Sequence, residues 1–458
     1  MNTASLGKGR GQHRDWTQGS IFSNLVSLYW PMLISSLLNM MGPTIDMIWI
    51  GRLGASSIAG VGVSAIVIMV VNSLAMGIFT GTGAMVARFV GARDEVKANL
   101  VAQQAIVIGL AYSIFFALVG VFLADRILLV LGVEADVVEQ GTAYMRIQLV
   151  GMVTMTAVAS GQSIINASGE TRTSMKISLV YRLLHVALAP FLIFGWWFFP
   201  KLGVSGAALS NVICQAIGGT LVMWILFKGH TRLRITLKHF RFDRNIIWRT
   251  LKIGFPASIT HIERSFSELI LVRFIIPFGT YAVASHSVVQ RIDQFPQMIC
   301  GSLGSASGVL AGQNLGAGQA NRASRTGWIA AGLATIIAVI ISVVVWLWAE
   351  DLIRVFNSDE QLVNIASTFL RIQIVGYIFW GLVTSLSMCL NGVGDTVITM
   401  VTNLTTMWGF AITMAYVLSQ HTNLGVYGIR WAIVGGIVIR AIIYSTYFKI
   451  GRWQKKQV

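Results

Sequence analysis

Twelve apolar runs, separated by mostly short polar loops, dominate the chain and leave it one kind of fold. They run over about 21–50, 57–87, 100–124, 140–165, 176–198, 204–227, 253–278, 281–311, 326–349, 362–391, 397–418 and 425–448. A bilayer core takes about 20 apolar residues of helix to cross, and each run is long enough or nearly so. Lipid offers backbone groups no hydrogen bonds, so a run of this length must be helical. Charged residues are only 11% of the 458, against about 25% in a soluble domain. The chain therefore reads as an all-α polytopic membrane protein with twelve transmembrane helices.

Alternate loops differ in charge. One set, with both chain ends, holds 22 Lys and Arg, including Lys8, Arg93, Arg232 and Lys456. The other has four: Arg52, Arg126, Lys201 and Arg354. That second set carries acids, among them Asp125, Glu134, Asp136, Glu350 and Asp351. The Lys/Arg-rich side is expected to be cytoplasmic, with both termini inside a plasma (inner) membrane. The net charge of +16 is thus explained by topology, and no nucleic-acid partner is expected. Residues 1–20 are polar and basic and read as a cytoplasmic tail, not a cleavable leader. The expected domains are a first bundle over 21–227, a basic linker over 228–252, a second bundle over 253–448 and a tail over 449–458. The linker holds eight basic residues against Asp243. It is either a contact for anionic lipid or a connector that obeys the topology rule. Cys214, Cys300 and Cys389 fall singly in apolar runs and read as packing residues, with no metal site.

The halves repeat at an offset of 225 residues. Pro31 matches Pro256, Gly54 matches Gly279, and Gly91-Ala92 matches Gly316-Ala317. Arg146-Ile147-Gln148 matches Arg371-Ile372-Gln373, and Asn166 matches Asn391. Near the end the offset slips to 222, where Gly203 and Gly206 match Gly425 and Gly428. Six spans per half is an even number, so both halves enter from the same side. They are parallel repeats of six helices, an arrangement that suits two bundles rocking about a midplane site. The membrane acids do not repeat: Asp46 maps onto Leu271, and Asp293 onto Ile68.

The stretch Asn39 to Asp46 in the first span carries the sharpest signal. A carboxylate inside a membrane helix is costly and marks a function or a locked partner. Pro43 cannot donate to the Asn39 carbonyl, so a kink is expected there. Asn39, Gly42, Pro43 and Asp46 recur at helical spacing and are read as one face. Asp46 is either an ion-handling carboxylate or a hydrogen-bonded lock between helices. The seventh span holds His261, Glu263, Arg264 and Glu268. Arg264 and Glu268 are one turn apart and could neutralise each other. Glu263, or Glu268, is then a candidate counter-charge for a cation. Arg291 and Asp293 in the eighth span are two apart, and each is expected to pair with another span. Arg182 and Arg440 need partners that the sequence does not name. No Ser/His/Asp grouping, metal-spaced His set or Walker-type loop suggests an enzyme or ATP use.

These motifs resemble the multidrug and toxic compound extrusion (MATE) transporters over nearly the whole chain. The resemblance rests on Pro31, Asp46-Met-Ile-Trp-Ile-Gly51-Arg-Leu-Gly54, Gly91-Ala-Arg93 and Asn166-Ala-Ser-Gly169-Glu-Thr-Arg172. In the second half it rests on Gly254-Phe-Pro256-Ala-Ser258, Ala284-Ser-His286, Arg291-Ile-Asp293 and Gly312-Gln-Asn-Leu-Gly316-Ala-Gly318. It implies two six-helix bundles around a cavity open alternately to each side. It also implies export of organic cations against inward H⁺ or Na⁺, with no cofactor, by a chain read as a monomer. Asp46 falls at the family's first-helix acid. The sodium-coupled branch adds a Glu in span 7 and an Asp in span 10. Here Glu263 lies within a residue of the first position, and residues 362–391 contain no acid. The other branch pairs the first-helix acid with Asn and Asp in span 5; those positions are His185 and Ala189 here. The chain therefore looks closer to the proton-coupled branch, with a non-standard span 5 site. The expected coupling group is Asp46 as proton carrier, His185 as partner, Asn39 orienting the carboxyl and Pro43 giving the helix two shapes. His185 could instead be a neutral histidine bonded to a carbonyl. Substrate or counter-charge candidates are Glu263, Glu268, Arg291, Asp293 and His261. A lipid-linked oligosaccharide flippase of the same superfamily is the rival reading. It would use Arg182, Arg264, Arg273 and Arg291 to line a basic cavity.

Overall fold

A computed structural model describes residues 14–130, 135–197, 199–236 and 240–456. Lys8 and Arg10 of the tail, Glu134 and Lys238 lie outside the described residues. Among the described residues every regular element is helical. The first half comprises α1 (Ile21–Ile50), α2 (Ala55–Gly91), α3 (Glu95–Val130), α4 (Ala135–Val150), α5 (Met152–Ala167), α6 (Thr171–Phe194) and α7 (Val204–Lys228). The second comprises α8 (Arg244–Ile275), α9 (Thr280–Gly316), α10 (Ala320–Arg354), α11 (Glu360–Gly392), α12 (Thr396–Leu404), α13 (Thr413–Gln420) and α14 (Val426–Ile450).

These helices make twelve spans. Helices α4 and α5 form one span bent by 47° at Gly151. A π-helical segment, Thr405–Ile412, joins α12 to α13 into another. Among the described residues nine helices are apolar and long enough to cross a membrane, and the bent pair makes a tenth. The remaining two, α8 and α9, are as long, but carry the charged and histidine residues of the second half.

One local feature differs from expectation. Helix α8 starts at Arg244, inside the stretch read as linker, because Asp243 caps it. The Asp243 carboxylate accepts from the backbone N–H of Asn245 (2.9 Å) and Ile246 (3.1 Å), an N-cap that satisfies orphan donors. What remains of the linker is held to α3: the Gln104 amide donates to the Arg241 carbonyl at 2.8 Å, and Asn99 to Thr236 at 3.2 Å. Helix α1 runs without a break through Pro31 and Pro43.

The halves meet along α1 with α9 and along α2 with both α8 and α9. At the 225-residue offset α1 is the twin of α8 and α2 of α9, so the α1–α9 and α8–α2 contacts are twins too. Leu25, Leu28 and Met32 of α1 pack with Leu303, Ala306 and Leu310 of α9 in one buried cluster. Membrane helices associate through such close packing and small residues, since lipid provides no hydrophobic drive. The repeated Gly-Ala pair has its reason here. A Cβ at Gly91 would lie 1.9 Å from the Gln313 carbonyl oxygen, and one at Gly316 would lie 2.0 Å from that of Arg88. Only glycine lets α2 and α9 cross so closely at the basic face.

Polar contacts between the halves run from mid-depth to that face. At mid-depth Ser258 donates to the Leu74 carbonyl (2.7 Å) and the Ser302 and Ser36 hydroxyls meet at 3.1 Å. Nearer the basic face Gln313 donates to the Ala167 carbonyl at 2.7 Å, and Arg88 to the Lys456 carbonyl at 2.8 Å. Among the described residues no such bond joins the halves on the opposite side.

Candidate ion-coupling site and central cavity

Helices α1 and α6 pack together and bring Asp46 and His185 face to face. Asp46 Oδ1 lies 3.2 Å from His185 Nε2, and the side chains are 5% and 1% exposed. The contact is off the line of a hydrogen bond. His185 Nδ1 likewise meets no partner among the described residues. The pair is a close contact of two buried polar side chains. Tyr144 and Cys214 lie within electrostatic reach of the Asp46 carboxylate. Ala189, one turn beyond His185, is fully buried among Ile50, Ile193 and Ala207.

Asn39 does not orient Asp46. Its Oδ1 accepts from the Tyr181 hydroxyl at 2.7 Å and from Arg182 Nε at 3.2 Å. Arg182 stacks on Tyr181, 5.0 Å from the ring centroid, and its guanidinium fills the space a side chain at Gly42 would need. A Cβ at Gly42 would sit 2.4 Å from Arg182 Nη1. Asn39, Gly42 and Asp46 thus share the face towards α6, where Gly42 and Asp46 are buried, whereas Pro43 is exposed. The partner of Arg182 depends on how closely α6 approaches the missing side chain of Gly42.

In the second half Glu263 is buried and accepts from the Ser267 hydroxyl at 2.7 Å. Trp408 of the π-helical segment and Arg440 lie within reach of its carboxyl. Arg440 donates to the Thr406 hydroxyl of the same segment at 3.0 Å. Arg264 does not pair with Glu268: both are exposed, and Arg264 donates to Gln297 of α9. His261 lies near this group, within reach of Arg264.

Asp293 pairs across spans as expected; Arg291 is exposed and makes no ion pair among the described residues. Asp293 Oδ2 lies 3.5 Å from Arg430 Nη1 of α14, and Tyr377 of α11 donates to Oδ1. Arg430 also meets His286 Nδ1 at 3.0 Å and lies over the Phe369 ring at 5.0 Å. All four polar members are under 7% exposed. Arg430 and Tyr377 were not singled out in the sequence. The repeat carries the signal: Val61, Ile68, Met152 and Ala208 stand at the positions of His286, Asp293, Tyr377 and Arg430.

Between the halves lies a cavity of about 300 Å³, lined from α1, α2, α5, α6, α9 and α11. Its walls are serine, threonine, asparagine, glutamine and apolar side chains, and no charged residue is among them. Arg182, Arg264, Arg273 and Arg291, which the flippase reading would place around the cavity, do not line it. No group of three metal-ligating side chains exists among the described residues.

The MatE family profile matches residues 31–191 and 256–417, one copy in each half. The chain is 25% identical over 443 residues to the Probable multidrug resistance protein YoeA of Bacillus subtilis, covering 96% of each. It is 27% identical over 381 residues to the Multidrug export protein MepA of Staphylococcus saprophyticus, covering 82% of this chain and 80% of that one. Among solved structures, a MATE protein in a bent conformation superposes with a TM-score of 0.89 at 23% identity, covering 95% of this chain and 96% of that one. A MOP superfamily transporter from Pyrococcus furiosus, described as having a binding pocket of reversed polarity, gives 0.89 at 24% identity, covering 96% and 98%. With twelve spans in two six-helix repeats, a profile match in each and these structural neighbours, the chain belongs to the MatE family of transporters.

Proposed function

We propose that the protein exports small organic compounds, cations among them, in exchange for protons. The observation that carries this reading is the buried contact of Asp46 with His185, 3.2 Å apart. A proton bound between a carboxylate and an imidazole changes the charge of a buried site. The α1–α6 contact then has two electrostatic states, and the bundles a reason to favour one arrangement over the other. Glu263, beside Trp408, gives the second half an acid and an aromatic face, the pairing that suits an organic cation. The basic face is the cytoplasmic one in this reading, so the contacts from Ser258 to Arg88 close the cytoplasmic gate. The relatives named for multidrug resistance and export support the substrate class.

The test is transport by the full chain in proteoliposomes, with pH and Na⁺ gradients imposed separately. Export is expected to follow the pH gradient and to stop in Asp46→Asn. Export driven by Na⁺ without response to pH would overturn the proton assignment, as would full proton-driven export by Asp46→Asn.

A further inference from the structure

The segments flanking the first and last spans lie on the basic face, and each is built into its own half. Ahead of α1, the Asn24 amide donates to the Trp16 carbonyl at 3.2 Å and to the Gln18 carbonyl at 2.8 Å. Trp16 is buried, and its indole fills the gap left by Gly169, where a Cβ would lie 2.0 Å from Nε1. Asp15 adds its contact with Arg93. Beyond α14, Gly451 ends the helix in the left-handed conformation (φ 75°). Trp453 is fully buried, stacks on Phe448 at 4.7 Å between centroids and donates to the Phe448 carbonyl at 3.1 Å. Asp395 accepts from the Tyr447 hydroxyl at 2.6 Å and from the Lys456 ammonium.

Each segment also offers main-chain carbonyl oxygen to an arginine of the opposite half. Arg88 of α2 donates through Nη1 to the carbonyls of Lys456 (2.8 Å) and, in the turn after α11, Val393 (3.3 Å). Arg322 of α10 donates through Nη2 to the carbonyls of Gly19 (2.7 Å) and Gln18 (3.1 Å), while its Nε donates to Asn314 at 3.0 Å. The repeat does not account for these two grips. Gln313 and Lys97 stand at the twin positions of Arg88 and Arg322. Gln313 reaches the Ala167 carbonyl, and Lys97 pairs with Asp94 of its own half. A guanidinium holds several acceptors in a fixed fork, and its bonds are stronger than those of a neutral amide.

We infer that these flanking segments form a clasp over the basic face, with Arg88 and Arg322 as the residues that hold the two halves closed there. The inference rests on the reading of the halves as bundles that rock, and adds what sets the balance between their arrangements. Opening this face moves α2 away from the segment after α14, and α10 away from the segment before α1. Each segment is fixed to its own half, by Asn24 and Gly169 or by Phe448 and Asp395, so neither follows the arginine of the other. Both grips therefore break when the face opens. Water replaces them there, so the clasp biases the equilibrium rather than locking it. The acceptors are backbone groups, so its strength lies in the two arginine side chains.

Ser305 lines the central cavity, and Ser305→Cys reports which face is open when an impermeant maleimide is added to one side of membrane vesicles. The chain without that change, with its own buried cysteines, sets the background. Added to Ser305→Cys, Arg88→Met is expected to speed labelling from the basic side roughly tenfold, as for loss of a bond to a charged group. It is expected to leave labelling from the opposite side no faster. Arg322→Met is expected to act in the same direction, and stands on its own should Arg88→Met fail to fold. Methionine keeps an apolar stem and removes the guanidinium. An unchanged basic-side rate in either folded variant, or faster labelling from both sides, would overturn the clasp. Labelling is read with no ion gradient, so it does not depend on what drives export. Rates that move as expected while export ignores pH sink the proton assignment alone. Export driven by pH, with rates that do not move, sinks the clasp alone.

Discussion

His185 Nε2 lies 3.2 Å from Asp46 Oδ1 across the α1–α6 contact, and neither side chain is more than 5% exposed. A carboxylate and an imidazole this close and this buried interact across little intervening solvent. His185→Gln keeps a polar side chain of similar reach and removes the basic nitrogen. It is expected to retain substrate binding and to slow export driven by a pH gradient. Export unchanged under the same gradient, measured in proteoliposomes, would reduce His185 to a packing residue.

The spans and their pairing into halves were legible because each depends on a long, redundant pattern. An apolar run tolerates many substitutions, and an offset of 225 residues shows in glycines and prolines that the backbone requires. The start of α8 was not legible: Arg244 and Arg249 read as loop, and the Asp243 cap is a single residue. The facing of Asp46 and His185 was reached through the family pattern. The engagement of Asn39 by Tyr181 and Arg182 was not, because it depends on how far α6 sinks into the gap at Gly42. The cluster around Arg430 is harder still. Its partners His286 and Asp293 lie 144 and 137 residues away in sequence, beyond any local periodicity. Only the contrast between twin positions points to it.

The Asp293–Arg430 pair is expected to hold the second half together rather than to meet substrate. Both are buried with Tyr377 and His286 and lie apart from the central cavity. Removing one member strands a charge, which costs about 3–5 kcal/mol when a buried pair is broken. Arg430→Met is therefore expected to lower the melting temperature clearly. Asp293→Asn/Arg430→Met, in which neither charge remains, is expected to recover part of the loss. Thermal unfolding of the three proteins in one detergent decides it. A double variant at or below the worse single variant would show that the pairing is not the source of stability.

Asp15 joins the tail to the loop after α2, with its carboxylate 3.0 Å from Arg93. The Thr17 hydroxyl, first, and then the Thr17 backbone and Arg93 hold its carboxyl below the usual range. A lowered acid stabilises the folded state above its unfolded value, near 4, and that contribution fades as pH falls through the lowered folded value. The pair is solvent-exposed, so its worth is under about 1 kcal/mol. Asp15→Asn is expected to lower stability slightly at pH 7 and to make no difference at the most acidic pH the protein survives. Unfolding midpoints of both proteins across that range test this, and a gap that widens on acidification would reverse the sign.

Gly42 and Gly91 both leave no room for a Cβ, yet they are expected to respond differently to alanine. At Gly42 the obstacle is Arg182 Nη1, 2.4 Å from the added carbon and at the end of a flexible side chain. The guanidinium can swing away, at the loss of its bond to Asn39. Gly42→Ala should therefore fold normally and alter transport through the charge it displaces beside Asp46. At Gly91 the obstacle is the Gln313 carbonyl, 1.9 Å away and fixed in α9. No side chain can yield there, so α2 and α9 must separate, at about 1–3 kcal/mol for the overpacked contact. That contact is among those closing the basic face, so Gly91→Ala should favour the arrangement in which this face is open. Labelling of a cysteine at Ser305, in the cavity wall, by a reagent added from the basic side reads the opening directly. Faster labelling in Gly91→Ala than in Gly42→Ala is the expected result. Equal rates would mean that the α2–α9 crossing is not part of the gate.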